Sequence, residues 1–239
     1  MKALFYSDLI TIAKSLRQFV FSVSIICIML TLMSIGEEGI SGPEVAGAIQ
    51  TTIMSTGTIM ISLFAFFQLF GLDEHAGWES VKLSLPLSRR QVIMSRYIIL
   101  AALLVAFLVL GIIVGTGIAA IVTYAKFGAV TLRPAQDVLM LAGICLLAVL
   151  AYLAIELPLF FKMGLSKARL FYAIPLLSPI LFTLEPVKEF VRGLGTQVME
   201  VIGNIGSPWP LLLGAAAVTL ALYALSGLVS LRLYSAREF

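Results

Sequence analysis

The chain has 239 residues, of which 60% are hydrophobic and only 12% charged, with a mean hydropathy of +1.06. A soluble domain is about 25% charged, so water cannot solvate this composition around one core, whereas a bilayer can. The net charge of +3 is scattered along the chain, which excludes a nucleic-acid patch.

A spanning helix needs ~20 mostly apolar residues to cross ~30 Å of hydrocarbon. Residues 1–19 come first and read as an interfacial helix. Phe5, Leu9, Ile12 and Leu16 recur at helical spacing, with Lys2, Thr11 and Lys14 largely opposite. Two readings of it stand: a membrane-entry helix, or a strut that docks a cytoplasmic partner. Apolar runs, broken by charge only at Arg96, Glu156 and Arg232, then place spans at 20–35, 49–72, 92–123, 138–161, 170–184 and 209–232. No small-residue cleavage site follows the first run; Gly36, Glu37 and Glu38 do, so the N-terminus is expected to be retained. The runs are too long and too uniformly apolar for the ~10-residue alternating strands of a barrel. Cys27 and Cys145 fall inside apolar runs and read as packed thiols.

In the second span, Ser55, Thr58 and Ser62 share one face, and Gly111 and Gly115 in the third form a G-x-x-x-G pair. Small residues let helices approach closely in lipid. Ordinary helix packing, the lining of a translocation path and a dimer seam are all open readings of these five positions. Between these spans lies 73–91, longer than a helix–helix connection requires and carrying Trp78, Leu83, Leu85 and Leu87 among charges. Pro86 disfavours helix at the residue before it, and Ser88 is a candidate N-cap for the helix that follows. In the fourth span Glu156 is nearly alone in apolar surroundings and reads as structural, and Pro158 is expected to kink that helix end. The fifth run, 170–184, is only 15 residues long. Residues 185–208 follow with Val187, Phe190, Val191, Leu194, Val198 and Ile202 at helical spacing, which favours a short external or re-entrant helical segment.

Orientation follows from Lys and Arg. Of the 16, 12 lie in one alternate set of segments or at the span ends that adjoin it, including Lys2, Lys14, Lys82, Arg89, Arg90, Arg96, Lys162 and Arg232. Only Lys126, Arg133, Lys188 and Arg192 lie in the other set. Both termini are therefore expected in the cytoplasm. The sequence has no G-x-x-x-x-G-K-[ST] loop, no H-E-x-x-H, and a single histidine, His75, so enzymatic chemistry is not expected. Neither a cofactor nor a metal is expected in this chain.

Three stretches resemble one family. Met1-Lys2-Ala3-Leu4 with Asp8-Leu9 is similar to the openings of small bacterial ABC-2-type permeases. Asp73-Glu74, Trp78-Glu79 and Leu85-Pro86-Leu87-Ser88-Arg89-Arg90 resemble that family's signature between spans two and three. Pro158 to Gly164, followed by Lys167-Ala168-Arg169, is similar to its stretch after span four, with Met163 where Phe is usual. The group includes membrane subunits of phenol-soluble-modulin exporters.

The resemblance implies an all-α polytopic membrane protein of ABC-2, type V exporter-like architecture, forming a single transmembrane domain over 1–239 in the bacterial cell membrane. It implies a second permease subunit, as homodimer or paralogous heterodimer, and a separate ABC ATPase subunit that holds ATP and Mg. It assigns Trp78, Glu79, Leu85, Pro86, Ser88, Arg89 and Arg90 to contact with that ATPase. Membrane lipids are further partners, and nucleic acid is not. The implied function is ATP-driven export, with amphipathic peptides or antimicrobials as the first substrate class. A non-transporting scaffold or sensor and an ion-coupled carrier are the alternatives.

Overall fold

Long apolar segments in lipid must satisfy every backbone group internally, and a helix does this within one segment. The computed structural model describes residues 41–75, 88–163 and 207–235, with isolated positions at 20–28 and 186–196. Among these residues all regular structure is α-helical, in four long helices: α1 (Gly42–His75), α2 (Arg89–Phe127), α3 (Ala135–Met163) and α4 (Trp209–Ser235). All four are long and apolar enough to cross a membrane. They correspond to the second, third, fourth and sixth predicted spans, each extended by several residues. The first apolar run is helical at the described positions Val20, Phe21, Val23 to Ile25 and Ile28. Residues 170–184 lie outside the described residues, as do 1–19.

Local chemistry sets the helix ends. At the start of α1 the Ser41 N–H and hydroxyl both donate to Glu44 Oε2, at 2.9 and 2.7 Å, so a carboxylate sits on the positive end of the helix. At the start of α2, Ser88 takes the N-cap position. Its Oγ accepts from the Gln91 N–H, and its own N–H donates to Gln91 Oε1, completing a capping box. That helix ends at Gly128, whose φ of 71° is open to glycine at no steric cost, and whose N–H donates to Tyr124 O at 2.9 Å. Lys126, Lys162 and Arg232 lie in the last turns of α2, α3 and α4, where a cation complements the helix dipole. Pro158 is accommodated inside α3, which continues to Met163.

The chain divides into two compact units whose boundary falls between Tyr152 and Leu153, inside α3. In the first unit one apolar cluster joins Val23 to Val45, Ala46, Ile49 and Ile53 of α1 and Ala119 of α2. A second joins Met54, Leu108, Ala142 and Cys145, so the Cys145 thiol is packed in apolar company. In the second unit Leu157, Phe160 and Phe161 are buried, and Phe161 meets Tyr234 of α4 edge-on with ring centroids 5.7 Å apart. Thr219, Ser226 and Ser230 are the buried face of α4, while Leu213, Val218, Leu222 and Leu228 point outward. Lipid solvates such outward apolar side chains, so they need no protein cover.

Candidate functional site

Among the described residues, α1 and α2 pack along an antiparallel seam. It is built by absence of side chain. A Cβ placed on Gly111 would lie 3.4 Å from Met54 Cα and 3.6 Å from Thr58 Oγ1. One placed on Gly115 would lie 3.5 Å from both Cα and O of Gln50. Two glycines one turn apart therefore rest on two backbone positions one turn apart. Lipid gives no hydrophobic drive between helices, so close backbone packing of this kind is what holds them.

The seam also carries polarity. Gln50 is buried, and its Nε2 donates to Thr116 Oγ1 at 3.3 Å. The hydroxyls of Thr51, Ser55 and Ser62 each donate to the carbonyl four residues back, at 2.6 to 2.7 Å, which satisfies them within α1. Thr58 departs from this pattern: its Oγ1 is fully buried with no hydrogen-bond partner, as is Gln50 Oε1. Of the five positions predicted as a path or dimer lining, Gly111, Gly115 and Thr58 meet across this seam. Ser62 is buried one turn further along α1, and Ser55 is half-buried.

At one end of the seam the α2–α3 connection folds back onto α1. A Cβ on Gly47 would fall 2.8 Å from Arg133 Nε and within 3.3 Å of its Cζ and Nη2, so the guanidinium lies across the bare Gly47 backbone. Arg133 Nη1 donates a long bond to Thr51 Oγ1 at 3.5 Å. The Thr131 N–H donates to Thr123 Oγ1, and the Thr123 hydroxyl donates to Ala119 O, tying the connection to α2. At the other end Arg96 of α2 is 2% exposed, and its guanidinium stands 5.5 Å from the centroid of the Phe70 ring of α1. Phe70 in turn packs on Phe66 with ring centroids 4.6 Å apart. The sequence reading missed both arginine contacts. Their signals were a glycine inside α1 and a cation seven residues into an apolar helix.

Of the residues assigned to ATPase contact, Trp78, Glu79, Leu85 and Pro86 lie outside the described residues, as do Phe5, Leu9, Ile12 and Leu16 of the interfacial helix. Ser88 caps α2, Arg89 opens it, and Arg90 is exposed. Glu156 is buried in α3. Among the described residues no group of three His, Cys, Asp or Glu side chains is arranged to hold a metal.

Four apolar helices of spanning length, the first two packed along a small-residue seam, define a helical multi-pass membrane protein. Residues 3–235 match the family model described as ABC-2 family transporter protein, and the chain belongs to that family. No curated protein and no solved structure matches it. Membership makes the chain a membrane-embedded permease component of an ABC transporter, a class that works with an ABC ATPase subunit.

Proposed function

We propose that this chain is the permease subunit of an ATP-driven exporter, crossing the membrane six times with both termini in the cytoplasm. ATP and Mg are held by a separate ATPase subunit, and two permease subunits, identical or paralogous, form the passage. The observation that carries this reading is the family match over 3–235, which leaves room for no nucleotide-binding domain within the matched chain. The stretch from Trp78 to Arg90, running from the connection after α1 into the first turn of α2, is the contact with the ATPase. Transport follows alternating access by rigid-body movement of the subunits as the ATPases close and open. Amphipathic peptides or antimicrobials are the proposed cargo, by resemblance to phenol-soluble-modulin exporter subunits.

The test is reconstitution with the partner ATPase in vesicles. Trp78→Ala combined with Arg89→Glu and Arg90→Glu is expected to leave ATP hydrolysis running while transport falls away. If that variant co-purifies, hydrolyses ATP and transports like the parent, the contact is assigned to the wrong segment. Transport by the purified chain without any ATPase would replace the whole reading with an ion-coupled carrier.

A further inference from the structure

We infer that Arg96 and Phe70 form a clasp that makes the inner ends of α1 and α2 move as one piece, and that this clasp sets how much transport each ATP produces. The inference rests on the permease reading above, because it concerns the two helices that flank the proposed ATPase contact.

The geometry carries the argument. Phe70 lies five residues before the end of α1 at His75, and Arg96 lies seven residues after the start of α2 at Arg89. At 1.5 Å per residue both sit about 8 to 10 Å inside their helices. They meet near the ends of the two helices that segment 76–87 connects. Arg96 is 2% exposed, and Ser95 and Tyr97 beside it are also buried, so the cation is held inside the protein rather than turned to a headgroup. The ring it faces is itself fixed, with Phe66 0% and Phe70 2% exposed and their centroids 4.6 Å apart. An intramembrane cation is costly and is placed where the surrounding protein holds it. Here part of what holds it is an aromatic face on the neighbouring helix, at 5.5 Å.

A load on segment 76–87 has two exits, through the end of α1 and the start of α2. If those ends can splay, the movement is lost locally. If they are clasped, it passes to the α1–α2 pair, which packs closely further along where Gly111 meets Met54 and Gly115 meets Gln50. Arg96 is thus a positioning residue: it touches neither nucleotide nor cargo, and it acts through the stiffness of the pair.

Arg96→Gln, Phe70→Leu, the double variant and Phe70→Tyr test this in the complex with its ATPase subunit in vesicles. Cargo moved per ATP hydrolysed is expected to fall between about threefold and thirtyfold in Arg96→Gln, the range open to a desolvated cation–π contact. Phe70→Leu should fall similarly, the double variant should fall no further, and Phe70→Tyr, which keeps the ring, should transport normally. A second readout uses the chain without its ATPase. Spin labels at Leu63 of α1 and Ile98 of α2 should give a broader distance distribution in Arg96→Gln than in the parent. If the parent complex transports with ATP while Arg96→Gln keeps both its cargo-to-ATP ratio and its spin-label distances, the clasp is overturned. Additive losses in the double variant overturn it as well. If the parent shows no ATP-driven transport, the permease reading fails, and the spin-label readout still decides whether the clasp exists.

Discussion

At the residue scale the seam turns on atoms that are missing. A methyl group on Gly111 or Gly115 would meet the facing backbone at 3.4 to 3.5 Å, close to ordinary contact. Gly111→Ala and Gly115→Ala are therefore expected to cost little, while Gly111→Leu must push α1 and α2 apart. Overpacking of that kind costs about 1 to 3 kcal/mol. Thermal unfolding in detergent should show a small change for alanine and a clear loss for leucine; equal losses would mean the glycines do not set the helix distance. Gln50 argues the other way. Its amide gains one bond to Thr116 and leaves Oε1 without a partner. Interhelical polar contacts in membranes average about 0.6 kcal/mol, so Gln50→Leu should leave the melting temperature unchanged or raised. A marked drop would show that the amide is worth more than its single bond.

At the element scale the sequence spoke clearly where a helix depends on its own residues. The apolar runs marked α1 to α4, and Pro86 followed by Ser88 marked the start of α2. The capping box adds Gln91, three residues after the cap, which the same pattern contains. Ser88→Ala should destabilise the first turn of α2 by about 1 kcal/mol, and Ser88→Asn should not. Hydrogen exchange of the amides from Arg90 to Val92 reads this directly; unchanged protection in Ser88→Ala would deny the cap its role. Contacts between helices were less legible. The Gly111 and Gly115 spacing announces a close approach but not the partner, because any helix surface can fill the notch. Arg96 and Arg133 look alike in sequence, each a cation at the edge of an apolar run. The fold buries the first against Phe70 and lays the second, exposed, across Gly47. That difference belongs to which helix lies beside each arginine, and no local pattern encodes it.

At the scale of the whole molecule, lipid removes the usual reason for helices to gather. The chain must be sorted by charge at its loops and held by packing at its seams. Four described helices of spanning length establish a multi-pass protein, and the number of crossings rests on two further segments. The first run is helical at its described positions and contributes Val23 to the cluster with α1 and α2. The run at 170–184 is the critical one. Fifteen residues supply about 22 Å as a helix, against ~30 Å of hydrocarbon, so it crosses only with help from its flanks. Parity makes this testable. With six crossings Lys14 and Arg237 share a side; with five they do not. Single cysteines at Lys14, Lys82, Arg133, Lys188 and Arg237, in a background lacking Cys27 and Cys145, can be probed with a membrane-impermeant maleimide on intact cells. Positions 133 and 188 are expected to label from outside, and 14, 82 and 237 only after the membrane is opened. Labelling of 237 from outside, with 14 still protected, would remove the fifth crossing. It would also carry the C-terminal end of α4, with Arg232, to the side where the chain has fewest cations, against the bias that positive charge imposes on membrane insertion.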